Sequence, residues 1–127
     1  MKSKELTKAE EQVMQYLWEL GKGFLKDIVE SFPEPRPAYT TVSTVTGVLV
    51  RKGFIGFNAY GKVREYYPLI AKKEYFGNRV HSIIEHFFHG STPEFASFFT
   101  QQDLTLSELE EIKALIEEKI ERIRTEE

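Results

Sequence analysis

The side chains best suited to chemistry lie in a hydroxyl-rich stretch, residues 39–53, with the sequence YTTVSTVTGVLVRKG. Its apolar residues recur at helical spacing and Arg51, Lys52 and Gly53 close it, which predicts a helix with one apolar and one hydrogen-bonding face. The polar face is almost uncharged before its last turn, so it can approach base edges and phosphates without burying ions. We interpret it as a DNA recognition helix. The residues expected to contact bases and phosphates are Tyr39, Thr40, Thr41, Ser43 and Thr44.

Two other interpretations fit part of this pattern. The β-branched Val and Thr residues are also typical of a strand, and a threonine-rich helix face can be plain solvated surface. The flanking residues favour the helix. Pro33, Pro35 and Pro37 precede it, and the basic residues and Gly53 end it.

Charge is divided unevenly along the chain, whose net charge is -3 at pH 7. Residues 1–75 hold 12 Lys and Arg against 9 Asp and Glu, whereas residues 76–127 hold 5 against 11. Within residues 36–73 seven basic residues face a single glutamate. The first part is suited to phosphate, and the acidic second part is better suited to a partner protein.

Composition excludes several classes of site. The absence of cysteine excludes disulfides, thiolate metal sites and cysteine nucleophiles. His81, Glu85, His86 and His89 could hold a metal on a helix, but solvated or packed histidines explain the same spacing, so we expect no metal and no cofactor. The sequence lacks an HExxH motif, a phosphate-binding glycine loop and a Ser/His/Asp set at motif spacing, so we expect no catalytic residues and no enzyme.

No apolar run approaches the roughly 20 residues that cross a bilayer, and residues 1–11 contain no hydrophobic signal-peptide core. We therefore expect no membrane insertion and a cytoplasmic location. A chain of 127 residues can form one small domain with an appendage or two compact halves.

Two helices are predicted before the recognition helix. Thr7 and Glu10 have the capping-box spacing ahead of an apolar-periodic run, and Gly21 ends that run. A shorter amphipathic stretch, residues 24–32, predicts the second helix.

A β-hairpin is predicted after the recognition helix. Residues 54–60 and 62–69 alternate in polarity, with Gly61 at the turn. Three helices followed by a hairpin are the pattern of a winged helix, whose hairpin tip contacts phosphate or the minor groove. The basic residues expected to hold the DNA backbone are Arg51, Lys52, Lys62 and Arg64.

The remaining sequence predicts a second, helical domain. We expect a winged-helix DNA-binding domain over residues 1–72 and a helical dimerisation domain over residues 73–127. Helices are predicted over residues 74–89, from an N-cap at Thr92, and from an N-cap at Ser107, and the last of these repeats apolar residues in near-heptad steps.

The second domain contains more phenylalanine than a segment of its size can bury alone, so we expect it to associate with a second copy. A monomer in which these helices fold back on the hairpin is the alternative. The predicted dimer-interface residues are Phe76, Val80, Ile84, Phe87, Phe88, Phe95, Phe98, Phe99, Leu109, Ile112, Ile116 and Ile120.

Four sequence blocks in this order resemble the BlaI/MecI/CopY family of bacterial repressors, also called the penicillinase repressor family. They are LTKAEEQVMQYLW (6–18), TTVSTVTGVLVRKGFI (40–55), REYYPLI (64–70) and DLTLSELEEIKALI (103–116). The resemblance implies a mainly α fold with a small β-hairpin, comprising an N-terminal winged helix-turn-helix and a C-terminal helical dimerisation region. It also implies a homodimeric repressor in which each winged helix reads half of a dyad operator.

The recognition helix departs from the family pattern in charge. Thr41 and Thr44 match the family's recurring threonines, whereas Thr40 and Ser43 stand where the family often has Lys or Arg. Residues 47–48 are Gly and Val where relatives often have an arginine. The helix is therefore less cationic than the resemblance implies.

The resemblance also implies a route of regulation. Family members that control resistance to β-lactam antibiotics are inactivated by proteolysis in the C-terminal half, after a membrane sensor detects the drug. The matching bond joins Ser97 and Phe98, where well-known relatives have Asn before Phe, and it implies a sensor-linked protease as a partner. The copper-responsive branch uses a cysteine motif that this chain lacks.

A winged helix that binds protein without specific DNA binding is the alternative function. The overall negative charge and the absence of a base-reading Arg or Asn from most of the recognition helix favour it.

Overall fold

The computed structural model describes residues 5–126. It divides into two compact units, residues 1–81 and residues 82–127, and helix α4 begins in the first unit and ends in the second. The predicted domains include residues 1–4 and 127, which lie outside the described residues. The elements, in chain order, are α1 (Lys8–Leu20), β1 (Gly23–Phe24), α2 (Leu25–Ser31), α3 (Tyr39–Arg51), β2 (Ile55–Tyr60), β3 (Val63–Pro68), α4 (Lys72–Phe87), α5 (Thr92–Thr100) and α6 (Leu106–Glu126).

Both ends of α1 are set by local signals that the sequence shows. Thr7 Oγ1 accepts a hydrogen bond from the Glu10 backbone N–H at 3.2 Å, and Glu10 Oε1 accepts from the Thr7 N–H at 2.9 Å. This reciprocal pair confirms the predicted capping box. Gly21, with φ of 82°, ends the helix because a residue without Cβ adopts that conformation easily.

The three-stranded sheet contains the predicted hairpin and one additional strand. β2 and β3 pair antiparallel from Ile55↔Pro68 to Tyr60↔Val63, and Gly61, with φ of 63°, lies at the turn. The sequence did not predict β1, which pairs Gly23↔Tyr66 and Phe24↔Glu65 on the other edge of β3. A strand of two residues is too short to show an alternation of apolar and polar residues, so β1 is defined only by its pairing with a strand distant in sequence. The mainly helical fold with a small sheet confirms the predicted fold class.

The first unit encloses a hydrophobic core. Residues from α1, α2, α3 and the start of β2 meet there, together with Tyr75 from the first turn of α4. Thr46 is fully buried, and its Oγ1 has no hydrogen-bond partner among the described residues. The buried apolar side chains are Val13, Met14, Leu17, Ile28, Val29, Phe32, Val42, Leu49, Phe54, Ile55 and Tyr75.

Two long-range hydrogen bonds join α1 to the chain that follows the sheet. The indole Nε1 of Trp18 donates to the Ile70 carbonyl at 2.8 Å, and the Tyr75 hydroxyl donates to Glu11 Oε2 at 2.8 Å. Burial raises the pKa of Tyr75 to about 12, and the hydrogen bond to Glu11 acts in the same direction. The first turn of α4 is thereby fixed to the first unit.

Within the described residues, the second unit has no comparable core. None of the described residues of α5 or α6 is buried. Its main internal contact is a ring cluster in which Phe88 lies 5.6 Å from both Phe95 and Phe98, and Phe95 stacks on Phe99 at 6.2 Å. The cluster gathers these rings but leaves Phe98 50% exposed.

Two predicted N-caps are wrong by one and two residues. Ser91, not Thr92, caps α5, because Ser91 Oγ accepts from the Glu94 N–H at 3.2 Å. α6 begins after Thr105, whose Oγ1 accepts from the Glu108 N–H at 3.1 Å and whose own N–H donates to Glu108 Oε1 at 2.9 Å. Ser107 has the same spacing to a glutamate, but it lies inside the helix.

No helix within residues 5–126 is both long enough and apolar enough to cross a membrane.

Candidate nucleic-acid interface

Helix α3 has a buried face and, opposite it, an exposed face. Val42, Thr46 and Leu49 form its buried face. Because successive side chains are about 100° apart around a helix, the residues directly opposite that face are identified by their positions. They are Thr40, Thr44, Gly47 and Arg51.

The exposed Ser and Thr hydroxyl groups of α3 are in two different states. Thr44 Oγ1 donates to the Thr40 carbonyl at 2.9 Å, within the preceding turn of the helix. Among the described residues, no hydrogen-bond partner is found for the hydroxyls of Thr40, Thr41 or Ser43, and all three residues are exposed. These three hydroxyls can therefore donate and accept outside the protein.

An open groove of about 660 Å³ separates α3 from the hairpin. It brings together four residues that the sequence predicted at a DNA interface, namely Tyr39, Ser43, Lys62 and Arg64. Lys26, the second residue of α2, also lines this groove, where the sequence did not predict it. No local signal marks Lys26, because only the fold places the start of α2 beside the hairpin.

The groove combines basic charge with aromatic surface. Arg64 places its guanidinium carbon 4.2 Å from the centre of the Phe57 ring, a cation–π contact that uses none of its N–H groups. Asp27 also lines the groove, but its Oδ2 accepts the Phe24 backbone N–H at 2.9 Å and caps the start of α2. The groove is thus suited to an anionic ligand that offers hydrogen-bond acceptors.

Lys52 occupies a different environment from the other predicted backbone contacts. Its Nζ lies 2.8 Å from Glu10 Oε1 and joins the end of α3 to the start of α1. Burial raises the pKa of Glu10, but the hydrogen bonds from Lys52 and Thr7 outweigh burial, and the net pKa is lowered. Arg51, by contrast, is exposed at the end of the face opposite the core.

Thr41 lies beside a second groove, of about 330 Å³, between α1, the proline-rich connection and α3. Val13, Phe32 and Val42 make much of its wall apolar. The predicted DNA-contact residues of α3 are therefore divided between the two edges and the centre of its exposed surface.

The predicted dimer-interface residues are divided between the units. Phe76 and Val80 belong to the first unit, where the Phe76 ring lies 6.0 Å from Trp18 and 5.3 Å from Tyr75. The others belong to the second unit. Ile112, Ile116 and Ile120 line an almost wholly apolar groove of about 450 Å³ along α6, together with Leu115, Lys119 and Ile123.

Two further sets of predicted residues lie in the second half of the chain. Ser97 and Phe98 are in the middle of α5 and both are exposed. The His86 ring Nδ1 lies 2.9 Å from the Ser82 carbonyl. Residues 5–126 contain no group of three or more His, Asp or Glu side chains placed to hold a metal ion.

Comparison with known proteins identifies the family. The model of the penicillinase repressor family matches residues 6–118. The penicillinase repressor of Bacillus licheniformis is 24% identical over 116 residues, which cover 90% of this chain and 91% of that protein. The methicillin resistance regulatory protein MecI of Mammaliicoccus sciuri is 25% identical over 120 residues, covering 93% and 98%. An uncharacterized 16.5 kDa protein of Latilactobacillus sakei is 30% identical over 83 residues, covering 65% of this chain and 57% of that protein.

The family match spans all three helices and the hairpin of the first unit and much of α6. It confirms the resemblance that the four sequence blocks indicate. The chain belongs to the penicillinase repressor family of transcriptional repressors.

Proposed function

We propose that this chain acts as a homodimeric, sequence-specific DNA-binding repressor that occupies a dyad operator. The observation that carries the proposal is the groove between α3 and the hairpin. It sets Lys26, Lys62 and Arg64 beside the uncharged hydroxyl edge of Tyr39 and Ser43. Basic groups at the margin and neutral hydrogen-bonding groups on the helix are what phosphate contacts and base contacts respectively require.

In this proposal α3 enters the major groove, and its N-terminal half, residues 39–44, contacts base edges. Lys62 and Arg64 on the hairpin hold one side of the DNA backbone, and Arg51 holds another. Lys26 extends the set of phosphate contacts. Lys52 is left out because Glu10 already holds its ammonium group.

A second copy completes the proposed repressor. Ile112, Ile116 and Ile120 form an apolar groove that the described residues leave uncovered. The acidic surface of residues 76–127 would repel DNA, which favours a protein as the partner of α6. Residues 1–72 would bind DNA and residues 73–127 would dimerise. The two α3 helices would then lie about one turn of B-DNA, roughly 34 Å, apart.

Release of the operator would follow from damage to the dimer. Each winged helix alone makes few contacts with DNA. Cleavage would separate the two winged helices, so that binding of one would no longer raise the local concentration of the other at the operator. The proposed cleavage bond, Ser97 to Phe98, lies within helix α5. A protease that binds extended chain would therefore first require α5 to unwind. The names of the relatives, a penicillinase repressor and a methicillin resistance regulatory protein, support a role in antibiotic resistance. We propose in addition a cytoplasmic location and a sensor-linked protease as the inducing partner.

The test begins with selection of binding sites from randomised duplex DNA by the purified full chain. We expect the selected duplexes to converge on two inverted half-sites. Fluorescence anisotropy against the selected and a scrambled duplex should then show preference for the selected one. Affinity should fall steeply with salt, with a logarithmic slope of about -0.9 for each phosphate neutralised.

A substitution pair locates the interface. Lys62→Gln combined with Arg64→Gln should reduce both the affinity and the salt slope, because two phosphate contacts are lost. Lys113→Gln combined with Arg124→Gln, on α6 but outside its apolar groove, removes the same charge and should leave the slope unchanged. Failure of the selection to converge, with equal weak binding to both duplexes, would exclude the repressor and favour the protein-binding alternative.

A further inference from the structure

Before Arg51, its last residue, the exposed surface of α3 contains none of the side chains that usually identify a base. Guanine is commonly read by Arg or Lys and adenine by Asn or Gln, through paired hydrogen bonds. None of these residue types stands between residues 39 and 50. Hydroxyl groups are ambiguous readers, because each can donate or accept. A sequence-specific α3 therefore needs another source of discrimination.

Thr44 lies at the centre of this surface, and its hydroxyl is already engaged. Thr44 Oγ1 donates its single hydrogen to the Thr40 carbonyl at 2.9 Å. Donation to a base would exchange one hydrogen bond for another, with little net gain. The other terminal group of the exposed Thr44 side chain is a methyl group. It forms no hydrogen bonds, so only an apolar contact is open to it.

The surface next to Thr44 is open. Gly47 follows it by one helical turn on the same face and presents no side chain. A Cβ built at Gly47 would meet nothing closer than Arg51 Nη1, at 3.8 Å. Packing within the protein does not require glycine at this position, which is consistent with close approach of a ligand to α3.

We infer that the methyl group of Thr44 reads one thymine in each operator half-site through the C5 methyl of that base. Thymine alone presents a methyl group in the major groove, and a threonine methyl is a recognised partner for it. The inference rests on the proposed DNA-binding function. Burial of about one methyl group corresponds to about a fourfold change in affinity per half-site and about 15-fold for a dyad.

The experiment uses the duplex selected by the full chain. Each thymidine is replaced in turn, symmetrically in both half-sites, by deoxyuridine, which lacks only the methyl group. Anisotropy titrations compare the wild-type protein with Thr44→Val, which keeps a methyl group and removes the hydroxyl, and Thr44→Ser, which does the reverse. Thr40→Ser is the matched control on the same helix face, and circular dichroism melting checks that each variant folds.

We expect one thymidine position at which deoxyuridine weakens wild-type binding by about 15-fold. Thr44→Val should retain this sensitivity and most of the affinity. Thr44→Ser should lose both the sensitivity to deoxyuridine and the affinity that Thr44→Val retains. Thr40→Ser should still distinguish thymidine from deoxyuridine at that position.

The opposite ranking, with Thr44→Ser binding like wild type and Thr44→Val impaired, would overturn methyl readout while leaving the proposed repressor intact. The absence of any thymidine position that depends on Thr44 would have the same effect. Failure of the selection to converge would remove the proposed function, and the inference with it.

Discussion

The two units differ in what becomes of their apolar side chains. In the first unit, eleven hydrophobic residues between Val13 and Tyr75 are buried against one another. In the second, no residue of α5 or α6 is buried within the described chain, and Phe87 and Leu115 are 74% and 66% exposed. Since exposed apolar surface is unfavourable in water, this difference supports the proposed association of the second unit with a second copy. Four predictions test this difference, from the largest expected effect to the smallest.

The first concerns the enclosed core. Leu17→Ala should lower the free energy of unfolding of the first unit by about 3 kcal/mol, because the fully buried side chain leaves a cavity. Urea unfolding followed by the fluorescence of Trp18 measures this loss. The loss should be equal at low and high protein concentration. Leu20→Ala, on the same helix but 41% exposed, is the control and should cost far less. A Leu17→Ala effect that shrinks with concentration would show that the first unit also depends on a partner.

The second concerns the uncovered face of α6. Ile116→Asp should weaken self-association by at least about 100-fold, since a charge would replace an apolar contact in the dimer. Sedimentation at several concentrations measures the change. Ala114→Asp places the same charge about half a turn away, outside the apolar groove, and should leave association unchanged. Equal effects of the two variants would argue against the groove as the association surface.

The third concerns the contact that joins the first turn of α4 to α1. Tyr75→Phe should cost about 1.5 kcal/mol near neutral pH, because it removes the hydrogen bond to Glu11. The pKa of Tyr75 is raised from 10.0 to about 12, so folding favours the neutral phenol. That contribution is complete below pH 10 and is lost as the pH rises through about 12. The stability difference between wild type and Tyr75→Phe should therefore narrow over this range in urea titrations. If the stability difference stays constant over this pH range, the contribution of Tyr75 to stability does not depend on the phenol hydrogen that it donates to Glu11.

The fourth concerns the one side-chain polar atom that is buried without a partner among the described residues. Thr46→Val keeps the shape of the side chain and removes the unpaired hydroxyl, so it should stabilise the first unit by about 1 kcal/mol. Thermal unfolding measures the gain, and self-association should not change. Destabilisation would indicate that the hydroxyl has a partner, such as an ordered water molecule.

Local signals were sufficient to predict much of the fold. The capping box of Thr7 and Glu10, the extent of α3 and the turn at Gly61 were all predicted from residues close in sequence. The N-cap of α6 shows the limit of such signals. Thr105 and Ser107 each precede a glutamate by three residues, and only the structure distinguishes them.

The sequence predicted most of the residues of the candidate site but not how the fold arranges them. Tyr39, Ser43, Lys62 and Arg64 were expected at one interface, and the structure places them around one groove. It also adds Lys26 to that groove and binds Lys52 to Glu10, which is 42 residues away in sequence. Neither of these could be predicted from neighbouring residues, because both depend on how distant helices pack.

The sequence by itself determined the helices, the hairpin and the excess of apolar side chains after residue 73, because each depends on periodicity, composition or short-range hydrogen bonds. Its resemblance to known repressors also indicated the family. The tertiary structure decided which residues those elements bring together. It placed Tyr75 in the core of the first unit, paired β1 with β3 and joined Lys52 to Glu10. These outcomes depend on close packing and on hydrogen bonds that form only when the folded chain holds both partners in position.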